Sequence, residues 1–226
     1  MDIKNSRRLT LRALKKVLPK ASVFTDLIHR HAYARDAGFY RLLPHMVIKA
    51  TTVNDIVNIF REANYRQRHV VFRAGGTSLS GQAISDDILV EVKQGWRDIQ
   101  VLEQGQYIVL EPGVVAASAN QQLESLGYRI GPDPGSIRSA LIGGIVANNA
   151  SGIGSGTRFN SYATLAGMEM VLPNGLVLNS ANPQDRSKLQ SQAPQIHEGL
   201  ICLRDQIRGD ETLEQRKTNK YRLKNT

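Results

Sequence analysis

The stretch Arg73-Ala74-Gly75-Gly76-Thr77-Ser78-Leu79-Ser80-Gly81-Gln82 holds no nucleophile paired with a base, so its chemistry is binding. Gly75 and Gly76 leave backbone N–H groups uncovered, because glycine reaches positive φ at little cost and lets a ligand approach closely. Thr77 and Ser78 add hydroxyl donors beside them, and Gly81 lets the chain turn back. A second stretch of the same character follows. Gly131-Pro132-Asp133-Pro134-Gly135-Ser136 runs on into Ile142-Gly143-Gly144-Ile145-Val146-Ala147-Asn148-Asn149-Ala150-Ser151-Gly152. The prolines stiffen its backbone, and Asp133 is a turn-forming acceptor. Gly143 and Gly144 open a short helix whose N-terminus carries a partial positive charge. Asn148 and Asn149 can both donate and accept, as a heterocycle requires. The same run also reads as a small-residue helix packed closely, with Asn148 as its cap. Two bare loops together imply one long anionic ligand gripped from two sides.

The elements that position these loops follow from periodicity. Leu9, Leu11, Leu14, Val17 and Leu18 among basic residues predict an amphipathic helix ended by Pro19, packed on its own domain. Met46-Val47-Ile48 reads as a short strand. Thr52 with Asp55 is the signature of a helix start, and Val53, Ile56, Val57, Phe60 and Ala63 give that helix its buried face. Val70-Val71-Phe72 then delivers the chain into the first loop, which makes a strand–helix–strand unit with a right-handed crossover the expectation. Further strands are expected over 88–92, 99–102 and 107–111, the last two joined as a hairpin through Gln104-Gly105-Gln106. A helix over 114–126 stops at Gly127, and Pro173-Asn174-Gly175 joins another hairpin. The last periodic segment, 196–207, reads as a helix that buries Cys202. The layout is α+β: a small α/β lobe, then a more antiparallel lobe, with one glycine-rich loop in each.

Composition narrows the class. The 226 residues suffice for a real core. Lys and Arg outnumber acidic residues 29 to 20, but the excess sits at the two ends of the chain. Terminal basic stretches are more often solvated faces than nucleic-acid footprints, so no nucleic-acid partner is expected. A single cysteine, Cys202, excludes an intrachain disulfide and a chain-internal cysteine cluster. No metal site is expected, nor any membrane-spanning or signal-peptide segment, and a cytoplasmic location follows as the default. Neither G-x-G-x-x-G opening a helix nor the P-loop pattern occurs, which disfavours a nicotinamide Rossmann domain and a nucleotide triphosphatase.

Residues 73–82 resemble the pyrophosphate loop of the flavin oxidoreductases related to vanillyl-alcohol oxidase and p-cresol methylhydroxylase, and residues 132–152 resemble that family's second flavin-contacting segment. More narrowly, Ala150-Ser151-Gly152-Ile153-Gly154-Ser155-Gly156-Thr157, Asn160-Ser161-Tyr162, residues 168–175 and even Tyr221-Arg222-Leu223-Lys224-Asn225-Thr226 resemble the FAD-linked D-2-hydroxyacid dehydrogenases. Among these the likeness is to large bacterial members with an iron–sulfur module, which act on D-lactate or D-2-hydroxyglutarate. The resemblance implies a two-lobed FAD-binding PCMH-type domain over 42–226, preceded by a helical extension over 1–41. It implies that Ala74, Gly75, Gly76, Thr77 and Ser78 wrap the FAD pyrophosphate with Gly81 and Gln82. Ser136, Gly143, Asn148, Ser151 and Ile153 would line the flavin and ribityl region. Where the long relatives often carry paired cysteines this chain has Gly154-Ser155, and the first loop offers no histidine for a covalent link, so noncovalent FAD is expected.

Relatives continue into the rest of the flavin domain, a cap domain with most catalytic residues, and cysteine-rich iron–sulfur motifs. The expectation is therefore a C-terminally incomplete domain, inactive alone, from a protein that oxidises a D-2-hydroxy acid with FAD as hydride acceptor. A quinone or carrier protein would take the electrons, and the full-length protein would sit in the cytoplasm or peripherally at the inner membrane. A non-catalytic flavin- or ADP-binding or interaction module is the alternative.

Overall fold

A computed structural model describes residues 3–210; the family-like ending at 221–226 lies outside them. The chain opens with helix α1 (Ile3–Val17), which stops ahead of Pro19 as a residue without an N–H requires. Its inward face is more polar than the leucine pattern predicts. Ser6 and Thr10 are buried above Leu14, and their hydroxyls donate to the carbonyls of Arg66 at 3.3 Å and Ser6 at 2.8 Å. Strand β1 (Val23–Phe24) and helix α2 (Leu27–Ala32) follow. Then come β2 (Met46–Lys49), α3 (Val53–Tyr65), β3 (Val70–Arg73) and β4 (Ile88–Glu91).

These strands form one sheet in the order β1-β2-β4-β3. β4 runs parallel to both β2 and β3, and β1 is antiparallel to β2. The extension ahead of residue 42 therefore supplies an edge strand as well as helices. The expected strand–helix–strand unit exists, but its strands are not neighbours, because the chain returns after residue 87 to insert β4 between them. Met46, Val47 and Ile48 of β2, and Ile88, Leu89 and Val90 of β4, are all fully buried. Such uninterrupted apolar runs belong to strands covered on both faces. Leu14, Ile56, Ile59 and Trp96 join this core, and the Trp96 indole donates to Ala50 O at 2.7 Å.

The second lobe holds β5 (Ile99–Leu102) and β6 (Tyr107–Leu110), an antiparallel pair, and α4 (Ala116–Glu124). Gly127 stops α4 at φ +74. After α5 (Ile142–Ala147) and α6 (Ser161–Thr164), β7 (Glu169–Val171) and β8 (Val177–Asn179) pair antiparallel. In their connection only Gly175 takes positive φ, at +83. The Leu172 amide donates to Leu176 O and the Gly175 amide to Leu172 O, each at 2.8 Å. That is the expected hairpin through Pro173-Asn174-Gly175, a three-residue loop closed by a left-handed glycine. The hairpin leans back on the first lobe, with Val171 against its core and Gly175 against Arg61.

Helix α7 (Pro183–Gln192) lacks an apolar stripe and was not legible; Asn182 caps it and Pro183 starts it. Helix α8 (Pro194–Gly209) corrects the expected burial of Cys202, which is exposed. Its neighbours Leu200 and Leu203 are exposed as well, because α8 rests on α7 and that pair lies outside the core.

The start of α3 gives a test. Thr52 and Asp55 form a full capping box, and the buried Asp55 carboxylate accepts from Thr51 N at 2.9 Å, Thr52 N at 3.0 Å and Thr51 Oγ1 at 3.2 Å. Thr52→Ala is expected to lose about 1 kcal/mol in urea unfolding. Asp55→Ala is expected to lose more, about 2–3 kcal/mol, because it strands several donors. Equal losses would contradict this geometry.

Candidate functional site

The site grows from the carboxyl end of β3, where open α/β sheets present their loops to ligands. Beyond Arg73 the backbone amides of Gly75, Gly76, Thr77 and Ser78 donate to no protein group among the described residues. Gly76 and Gly81 take φ +66 and +79, so the loop depends on glycine at both points. The remaining turn is closed by its own side chains. The Ser78 hydroxyl donates to the Gln82 side-chain oxygen, which also accepts from Ser80 N at 3.2 Å, and Ser78 Oγ accepts from Gln82 N at 3.3 Å. The Ser78 hydroxyl thus serves the turn, not an external anion, and Thr77 stands partly exposed beside the free amides.

Two walls hold this loop. On one side, the Ala37 amide donates to Gly76 O at 3.1 Å, a Cβ on Gly38 would fall 2.5 Å from Leu79 O, and the Tyr40 ring flanks Gly81. On the other side stands the second glycine-rich segment. A Cβ on Gly75 would fall 2.6 Å from Ser139 O, and one on Gly144 would meet the Ala74 methyl at 3.5 Å. The two stretches singled out in the sequence therefore touch, through Ala74 and Gly75 against residues 139–144. Neither segment lines the grooves of about 370 and 340 Å³ between α1 and α3 and between α7 and α8.

Within the second segment the reading of α5 as an anion-facing helix start is corrected. Helix α5 has only six residues. Its first amides are engaged, Ile142 N with Val114 O and Gly143 N with Pro112 O, each at 2.9 Å. Gly143 is small because Pro112 fills the space, with its Cβ 2.7 Å from where a Gly143 Cβ would stand. Asn148 is the exposed C-cap of α5, and its Nδ2 donates to Gly144 O at 3.1 Å. Asn149 turns inward at φ +44, and its Oδ1 accepts from Tyr162 N at 3.1 Å. Ser136 is a partly buried turn residue whose carbonyl accepts from Ser139 N and Ala140 N at 2.8 and 2.7 Å.

Ser151 and Ile153 belong to a separate contact. Ser151 O accepts from Asp133 N at 2.7 Å, and Gly152 bridges Asp133 main chain to main chain at φ +140. Ile153 is fully exposed. The histidines lie elsewhere: His45 and His69 at the amino ends of β2 and β3, His29 and His31 in α2, His197 in α8.

Sequence reasoning passed over the residues that brace the loop and the second segment against it. Pro112, Ser139 and Gly38 carry no motif; they matter only because another segment's backbone comes against them. Tyr33 lies against Arg73 at the end of β3, and its hydroxyl donates to Glu91 at the end of β4 at 2.8 Å. Burial, together with that carboxylate, pushes the Tyr33 phenol well above its ordinary range, so it acts as a fixed hydrogen-bond donor.

Residues 44–181 match the family described as FAD binding domain. The chain is 29% identical over 166 residues to a D-2-hydroxyglutarate dehydrogenase of Haemophilus influenzae, covering 72% of this chain and 16% of that protein. It is 27% identical over 166 residues to an L-gulonolactone oxidase of Scyliorhinus torazame, covering 73% and 37%. Among solved structures it is similar to p-cresol methylhydroxylase, with TM-score 0.63 and 16% identity over 78% of this chain and 35% of that one. That likeness shows the two-lobed α+β fold of the PCMH type. The chain spans 16% of the length of the D-2-hydroxyglutarate dehydrogenases of H. influenzae and Escherichia coli.

The contact between the segments predicts opposite outcomes for two glycines. Gly75→Ala is expected to cost about 1–3 kcal/mol in urea unfolding, since backbone must shift to admit the methyl. Gly144→Ala, which meets only the Ala74 methyl at ordinary contact, is expected to be neutral or to stabilise by up to about 1 kcal/mol through helix propensity. Similar behaviour of the two variants would refute the packing.

Proposed function

The chain belongs to the FAD binding domain family, and from that premise we propose that it holds noncovalent FAD in an oxidoreductase converting a D-2-hydroxy acid, D-2-hydroxyglutarate or D-lactate, to the 2-oxo acid. The observation that carries the reading is the run of free amides from Gly75 to Ser78, set where an added Cβ would strike neighbouring groups. Main-chain donors in a glycine turn suit the oxygens of a diphosphate. Bound FAD supplies a two-electron acceptor. In this reading Ala74, Gly75, Gly76, Thr77 and Ser78 bind the diphosphate, while Gly81 and Gln82 shape the turn. Ser136, Gly143, Asn148, Ser151 and Ile153 line the flavin side.

In this reading the FAD-binding domain runs over 42–226 and follows a helical extension over 1–41, of which Val23–Phe24 joins the sheet. D-2-hydroxyglutarate dehydrogenases among its relatives support the substrate class. A quinone or carrier protein as electron acceptor, and a cytoplasmic site with peripheral attachment at the inner membrane, belong to the same proposal. A module that binds FAD or ADP without turnover is the competing reading, since the same amides fit either ligand.

The chain is expected to show flavin absorbance or to gain thermal stability in ~1 mM FAD, and Gly76→Val to lose both. A colourless protein with no such gain would sink the cofactor assignment. The full-length protein is expected to reduce a dye with D-2-hydroxyglutarate or D-lactate. Turnover of L-gulonolactone instead would overturn the substrate class, and bound FAD without turnover of any of these would favour the binding module.

A further inference from the structure

Arg73 closes β3 and opens the glycine-rich stretch, and its guanidinium is partly buried under the amide loop. Nη1 donates to Arg35 O at 2.7 Å and to Ala83 O at 3.1 Å. The rest of the group fills the space a side chain on Gly76 would need, since a Cβ there would stand 2.5 Å from Nη2 and 2.8 Å from Nε. The guanidinium lies over the Tyr33 ring, 5.5 Å from its centroid. The Tyr33 hydroxyl is held by Glu91, which is also the register partner of Arg73 across β3 and β4. Burial pulls Arg73 below the usual arginine range, while Tyr33, Asp36 and Glu91 draw it back. An arginine so placed remains charged.

We propose that Arg73 is a positioning residue for diphosphate binding: its guanidinium holds Gly76 in the left-handed conformation and keeps the free amides of Gly75 to Ser78 in one fixed arrangement over a positive charge. The inference rests on the FAD reading for its ligand, a diphosphate ester whose source is FAD or free ADP. The bracing itself involves protein groups only and does not depend on the ligand. It needs the planar fork of arginine: one nitrogen reaches two carbonyls while the others pack against Gly76. A lysine keeps the charge and loses that span.

The test compares the wild-type chain with Arg73→Gln and with Arg73→Lys, the milder change that preserves charge and stem. Two quantities are measured: the heteronuclear ¹⁵N–¹H NOE of the Gly75 to Ser78 amides, and calorimetric affinity for FAD, ADP and AMP. In the wild type these amides should be as rigid as those of β2 and β4. In both variants the loop values should fall while the strands hold, and the dissociation constants for FAD and ADP should rise together by about tenfold or more, with AMP changing less. Loss with FAD alone, ADP unchanged, would overturn the diphosphate as the group positioned. Amides that stay rigid in both variants overturn the proposal whatever the affinities do, and loosened amides with unchanged ADP binding overturn it as well. A wild-type chain that binds neither FAD nor ADP overturns the cofactor assignment, and the NOE comparison alone then decides whether Arg73 braces the loop.

Discussion

Where Gly75 would carry a side chain, the carbonyl of Ser139 stands 2.6 Å away, so the two lobes meet as main chain against main chain. The first loop owes its position to that contact. Gly75 and Gly143 do not take positive φ, and conformational freedom does not explain them. They are glycines because Ser139 O and Pro112 occupy the volume a methyl would need. Gly38 against Leu79 O is a third case. An added methyl at any of the three would overlap a neighbouring atom, so these glycines fix how near the segments come. The loop is thereby pinned between residues 37–40 and 139–141, and its unpaired amides donate to neither wall.

Such pinning requires a sheet that does not move, and the opposite end of the sheet supplies the anchor. Asp87, buried at the start of β4, pairs with Arg68 and accepts from His69 N at 3.0 Å. Its carbonyl accepts from His45 N at 2.7 Å and Met46 N at 3.2 Å. One residue thus ties together the amino ends of β2, β3 and β4. A buried ion pair adds little net stability once its desolvation is counted, and its attested value is in fixing register. Here the register it fixes puts Arg73 opposite Glu91, one residue before the loop begins.

The parts of the fold legible in the sequence were those whose signal is local. The capping box at Thr52 and Asp55, the apolar runs of β2 and β4, the left-handed Gly127 and both hairpins each depend on a few neighbouring residues. What was illegible depends on distant chain. The insertion of β4 between β2 and β3 reflects a return over residues 74–87 that no periodicity announces. Helix α7 has polar residues all around and is held by its cap and its contacts with β8 and α8. Cys202 sits in an apolar run, yet burial is decided by what packs over a helix, and α8 lies in the outer layer. The site divides the same way. The glycine spacing marked both segments, whereas the engagement of the α5 amides by Pro112 and Val114 could be known only from the fold.

That division bears on how a site of this kind survives sequence drift. This chain shares its fold with p-cresol methylhydroxylase at 16% identity, and its relatives include both dehydrogenases and an oxidase. A fold alone does not fix a chemistry. The groups offered by the first loop are backbone amides, which every residue except proline carries, so nearly any side chain can change without removing a donor. What cannot change freely is the geometry: glycine where φ is positive or a neighbour leaves no room, and a brace that holds the left-handed turn. The small set of residues under that constraint (Gly75, Gly76, Gly81 and the arginine beneath them, with Gly38 and Gly143 in the walls) is where substitutions would be felt. Substrate discrimination needs side chains instead, and the free amides of this loop can hold a cofactor in common while those side chains diverge.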